Sequence, residues 1–194
     1  MNREKEIRKI TLWGSLVNLV LTVFKIIAGV LGRSAAMIAD GIHSLSDLLS
    51  DVVVLVFTHM SSKGKDRDHS FGHGKFETLA TLIVSVMLVA VGTDLMIGAI
   101  RSIIGFCRGD DIPEPGIIAL IAAVVSILSK EILYHATVKV GKKTGSTVVV
   151  ANAWHHRSDA FSSIGAMAGI GGAMLLGGRW TVLDPVASCV ISVA

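Results

Sequence analysis

Long apolar runs separated by short polar breaks divide the chain into six segments, at about 10–32, 35–60, 77–104, 116–138, 147–176 and 183–194. Each of the first five is long enough to cross about 30 Å of hydrocarbon as an α-helix, the longer ones with tilt or with ends in water. The breaks carry turn chemistry. Gly32-Arg33-Ser34 offers Ser34 as an N-cap for the second segment, and Gly141–Gly145 parts the fourth from the fifth. Gly177-Gly178 ends the fifth, and Asp184-Pro185 has the form of an N-cap followed by proline at the first helical position. At 1.5 Å per residue, the few residues after Pro185 span about half a membrane, so the sixth helix reads as cut short.

Composition agrees with a helical membrane bundle. Of 194 residues, 52% are hydrophobic and only 17% charged, with 20 Gly and 5% aromatic residues; the mean hydropathy is +0.67. The net charge of +3 has no nucleic-acid footprint, and Cys107 and Cys189 have no partner motif, which sets aside a cysteine-based metal site. The N-terminal run is longer than a signal-peptide core and reads as a retained first helix, with cleavage near residues 34–36 as the alternative. Basic residues alternate between the two ends. Eleven (Arg3, Lys5, Arg8, Lys9, Lys63, Lys65, Arg67, Lys75, Lys139, Lys142, Lys143) fall on one side, and four (Arg33, Arg101, Arg108, Arg179) on the other. The excess places the N-terminus and the second and fourth connections in the cytoplasm.

Two short stretches break the apolar pattern in the same way. ADGIHSLSD on the second segment and AWHHRSD on the fifth each set a histidine four residues before an aspartate: His43 with Asp47, His155 with Asp159. On a helix, such residues share a face with β-carbons about 5–6 Å apart. An aspartate at mid-membrane costs about 2.5–3.5 kcal/mol, so both carboxylates call for a partner. Two pairs facing one another supply two nitrogens and two oxygens, a tetrahedral set suited to Zn²⁺. Protons compete with metal for imidazole, the minimum requirement for metal-for-proton exchange. A structural hydrogen-bond pair explains the carboxylates but not the repeated histidine. An intramembrane metalloenzyme would need an open coordination position and a general base, and no H-E-x-x-H occurs. A passive channel or metal sensor is the third reading.

Asp40 and Asp51 bracket the first pair and read as supporting partners or as steps on a path, with direct coordination by Asp40 as a further reading. His156 points about 100° away from His155. The serines Ser44, Ser46, Ser158, Ser162 and Ser163 read as helix packing, and Gly165–Gly169 as a small-residue stripe for close helix approach. Lys130, Glu131 and His135 read as snorkelling or pairing near the cytoplasmic face, whereas Asp94 stays open between a path residue and a structural hydrogen bond. In the second connection, His69 and His73 with Asp66 or Asp68 have metal-site spacing, with a solvated charged loop as the alternative.

HSFGHGKFE, together with ADGIHSLSD and ANAWHHRSD, resembles the cation diffusion facilitator transporters, specifically zinc-type members, over essentially the whole chain. The resemblance implies a multi-pass homodimer in the plasma or inner membrane, expelling Zn²⁺ in exchange for protons by alternating access. Cd²⁺, Fe²⁺, Co²⁺ and Mn²⁺ are further candidate substrates. It places the transport site at His43, Asp47, His155 and Asp159, and a second site at Asp66, His69 and His73. Lys75 matches a basic residue linking membrane and cytoplasmic parts across the dimer. Residues 1–194 correspond to the transmembrane domain. Such transporters usually continue into a cytoplasmic metal-binding domain, which this chain does not contain, and without it dimerisation is expected to be weaker.

Overall fold

The computed structural model describes the backbone of residues 3–61 and 74–193, and side chains outside 51–77 and 79–81. Among the described residues the chain is helical throughout. Its helices are α1 (Arg3–Leu31), α2 (Ala35–Ser61), α3 (Gly74–Cys107), α4 (Ile117–Thr144), α5 (Thr147–Leu176) and α6 (Leu183–Ile191), with one 3₁₀ turn at Gly178–Val182 before α6. Among the described residues, α1, α3 from Leu82, α4 and α5 are long and apolar enough to cross a membrane.

Helices α1, α2, α5 and α4 pack in a ring, each against the next, and α3 and α6 lie against the α2–α5 side. The buried apolar centre is built mostly from alanine: Ala28, Ala36, Ala39, Ala119, Ala122 and Ala166, with Met37 and Ile170. Small residues let the backbones approach closely, which is what drives helix association where lipid is as apolar as leucine. At Gly41 an added Cβ would lie 2.8 Å from Ile26 Cγ1 and 3.1 Å from Ile26 N, so glycine sets the α1–α2 spacing there. The small-residue stripe on α5 is occupied by α6, with Gly169 against Ala187 and the Leu183 carbonyl. Large apolar side chains point outward instead. Leu82, Val86 and Val89 of α3, Leu128 and Ile132 of α4, and Phe161 of α5 are all exposed, the inverse of a water-soluble core and the pattern a lipid environment asks for.

Several helices run past their apolar segments into charged turns, which tie the ends of the bundle together. Lys143 of α4 pairs with Glu6 of α1 at 2.8 Å, and Arg3 Nε donates to the Thr144 carbonyl at 2.9 Å. At the other end, the Gly116 N–H donates to the Gly32 carbonyl at 2.7 Å, closing α4 onto the α1–α2 turn.

The start of α2 departs from the sequence expectation in one respect. Ser34 does cap it, its hydroxyl accepting from Met37 N at 3.0 Å. Asp184 does not cap α6, which begins at Leu183 without a side-chain cap. Its carboxylate crosses to α2 instead, accepting from Ser34 Oγ and Ala35 N, both at 2.6 Å. A carboxylate at a helix N-terminus meets free N–H groups and the positive end of the dipole, so α2 rather than α6 gains the cap.

Candidate metal centre

The sites of interest lie where α2 and α5 face one another near the middle of the bundle. Single ligand atoms from Asp47, His155 and Asp159 all lie within 4.8 Å of one another. His43 is outside this tight group, but its Nε2 is 3.9 Å from Asp47 Oδ2. Within α5, His155 Nδ1 is 3.6 Å from Asp159 Oδ1. Zn–ligand bonds of about 2.0–2.1 Å put tetrahedral ligand atoms about 3.4 Å apart. A modest closing of the three-residue group, with rotation of His43 toward it, therefore matches the donor set to one ion.

Access is uneven. Asp159 is 4% exposed, whereas the side chains of His43 and Asp47 are partly open. One cavity of about 460 Å³ has all four candidate ligands in its wall, together with Ser162 and Ile191. A second, of about 520 Å³, lies between α2, α3 and α6 and shares His43 and Asp47 with the first. His43 and Asp47 thus stand between two openings.

Two buried lysines, Lys130 and Lys25, organise the surroundings. Lys130 of α4 does not snorkel to the cytoplasmic face. It is 2% exposed, and its Nζ donates to Asp159 Oδ2 at 2.6 Å and to Asn18 Oδ1 of α1 at 2.8 Å. Lys25 of α1 is enclosed completely; it pairs with Asp40 Oδ2 at 2.9 Å and donates to Ser44 Oγ at 3.0 Å.

Asp40 faces α1 and α5 and lines neither cavity. Ser163 Oγ donates to its Oδ2 at 2.8 Å, and Ser162 Oγ lies 2.7 Å from its Oδ1 and 2.8 Å from the Asp159 carbonyl. Both Asp40 oxygens are thus engaged by donors from α1 and α5. Asp40 is a strut joining α1, α2 and α5 one helical turn from His43. Ser162 and Ser163 are its hydrogen-bond donors rather than simple packing residues.

His156 turns inward toward Gly14 of α1. Asn152 Nδ2 is 3.3 Å from its Nε2, and its Nδ1 finds no hydrogen-bond partner among the described residues. Glu131 pairs with His135 at 3.2 Å and approaches Arg157 at 3.8 Å, while Arg157 stacks over Tyr134 at 4.7 Å. Asp94 is exposed on the apolar outer face of α3. The side chain of Asp51 and the loop residues Asp66, His69 and His73 lie outside the described residues.

A family model described as the cation efflux transmembrane domain matches residues 12–194. The manganese efflux system protein MneP of Bacillus subtilis is 38% identical over 194 residues, covering 98% of this chain and 64% of its own. Metal tolerance protein C1 of Arabidopsis thaliana is 42% identical over 200 residues, covering 97% of this chain and 42% of its own. The magnetosome protein MamM of Paramagnetospirillum magneticum is 35% identical over 172 residues, covering 89% of this chain and 52% of its own. This chain therefore spans between about two fifths and two thirds of these relatives. Together with the apolar helices, the match makes it a multi-pass integral membrane protein.

Proposed function

Because the chain belongs to the cation efflux, or cation diffusion facilitator, family, whose members are transporters and not enzymes, we propose that it moves divalent metal cations out of the cytoplasm. The cargo binds between two His-x-x-x-Asp pairs, His43 with Asp47 on α2 and His155 with Asp159 on α5. The observation that carries this reading is the convergence of Asp47, His155 and Asp159 from two facing helices of an apolar bundle, with Asp159 buried, Asp47 half-buried and His155 exposed. Lys130 already offsets Asp159, so it is Asp47 and the two imidazoles beside it that call for a further cation.

Both cavities reach His43 and Asp47 at the same depth in the bundle, and in the proposed cycle a shift of α2 and α5 against their neighbours opens the ligands to one face of the membrane and closes the other. Imidazole binds metal only when neutral, so a proton arriving at the site favours release and a metal arriving expels a proton. That is the basis of a metal-for-proton antiport. The N-terminus and the 62–73 connection face the cytoplasm in this reading. Asp66, His69 and His73 form a second metal site in that connection, and Asp51 lines the inner approach.

Two imidazoles and two carboxylates suit Zn²⁺, and zinc is the cargo we assign first. Manganese is the second reading, favoured by the name of the Bacillus subtilis relative. Carboxylate-rich sites also accept harder ions. A homodimer fits the outer face of α3, where Asp94 sits among exposed apolar side chains and would be covered by a second copy rather than by lipid. The plasma or inner membrane is the proposed location.

Reconstituted protein in liposomes with an imposed pH gradient tests the proposal. Zinc flux that follows the gradient and is lost in Asp159→Ala supports it. Flux at the original rate in Asp159→Ala would overturn the site, and flux indifferent to the gradient would overturn the exchange. Running Mn²⁺ beside Zn²⁺ separates the two cargo readings.

A further inference from the structure

Lys130 touches a proposed ligand but, as an ammonium, cannot itself bind a metal. Its Nζ sits 2.6 Å from Asp159 Oδ2, with side chains 3% and 5% exposed. The other Asp159 oxygen faces His155. One carboxylate is thus shared between a fixed positive charge and the space where a cation is proposed to bind.

We infer that the Lys130 ammonium is a tethered competitor for the transported cation, holding Asp159 while the site is empty of metal and swinging off it when metal binds. This rests on the proposed transport site. Three features of the arrangement point to it. The first is charge. Asp47, Asp159 and Lys130 sum to one net negative charge, and a divalent cation added beside an unmoved ammonium would leave a buried net positive charge with like charges in near contact. The ammonium must give way, and its repulsion weakens the bound state.

The second feature is a place to go. Asn18 Oδ1 already accepts from Lys130 Nζ at 2.8 Å, so the ammonium keeps a hydrogen bond on α1 when the carboxylate turns to the metal. The competition is between two cations for one oxygen pair.

The third is the contrast with Lys25 and Asp40. That pair has the same chemistry, but both side chains are fully enclosed, and Asp40 is closed off by Ser162 and Ser163. It has no free face toward the cavity, whereas Asp159 opens onto one. The first pair is fixed and the second is exchangeable. For an exporter the gain is in release: the ammonium returns to Asp159 as metal leaves, and the empty carrier resets without a bare carboxylate in its interior.

The test is Zn²⁺ binding to the purified full chain by calorimetry at one fixed pH and salt, with transport kinetics in liposomes. Lys130→Gln and Lys130→Met remove the charge, and methionine carries the test if the glutamine variant does not fold. Both should bind Zn²⁺ about tenfold more tightly, with a lower KM and a lower maximal rate, whereas Lys130→Arg should stay within about threefold of the unaltered protein. If the neutral variants bind no more tightly, Lys130 only holds Asp159 in place and the inference is overturned. Asp159→Asn separates the two levels. An undiminished number of Zn²⁺ ions bound in that variant overturns the site and the inference together. Lost binding there, with unchanged affinity in the neutral Lys130 variants, overturns the inference alone.

Discussion

Lys25 Nζ lies 2.9 Å from Asp40 Oδ2, and neither side chain has any accessible surface. The pair joins α1 to α2, and the Ser162 and Ser163 hydroxyls extend it to α5. Removing one partner of a buried pair leaves the other charge stranded, at a cost of about 3–5 kcal/mol, whereas replacing both with apolar residues can be close to neutral. Lys25→Met should therefore lower the melting temperature in detergent sharply, and Lys25→Met with Asp40→Leu should recover much of the loss. A thermal-shift series over the two single variants and the double variant checks this.

Asp184 stabilises α2 from across the bundle. Asp184→Ala removes the acceptor for Ser34 Oγ and Ala35 N, and losing a cap of this kind costs about 0.5–2 kcal/mol. Asp184→Asn keeps one oxygen acceptor and should lose less. Comparing the two melting curves would show the order; an unchanged melting temperature in Asp184→Ala would mean that the cap contributes little.

How much of this was legible in the sequence depended on range. His43 with Asp47 and His155 with Asp159 could be read because four residues is one helical turn, and local geometry fixes that contact wherever the helix lies. The partners of Lys25 and Lys130 could not, because each depends on the rotation of one helix against another. A signal was nonetheless present: two lysines in apolar segments require two buried acids, and Asp40 and Asp159 stood in the segments that follow them. Asp184 misled for the opposite reason. Asp-Pro satisfied a local capping pattern, but the carboxylate reached a better set of donors, the Ser34 hydroxyl 150 residues earlier in the chain and the Ala35 N–H beside it.

Glycine at position 41 sets a helix spacing that no larger residue allows. In Gly41→Ala the new Cβ would meet Ile26 at 2.8 Å and its backbone nitrogen at 3.1 Å, and overpacking of this kind costs about 1–3 kcal/mol. Since α1 and α2 carry Lys25 and Asp40, the variant should also strain that pair. Reduced thermal stability with the central metal site still able to bind is the expected result.

Metal affinity should depend on pH with a definite sign. Protons compete for His43, His155 and the carboxylates, so affinity falls as pH falls, by about tenfold per pH unit for each proton that metal displaces. Calorimetry at several pH values, in buffers of different ionisation enthalpy, counts the protons released. A pH-independent affinity would remove the chemical basis for antiport.

The central claim is that α2 and α5 together hold the transported ion, and diffraction from crystals soaked in zinc, collected at the zinc edge, tests it most directly. The account predicts an anomalous peak among Asp47, His155 and Asp159, with His43 turned toward it and Lys130 moved off Asp159. Peaks elsewhere, with none between these two helices, would contradict it.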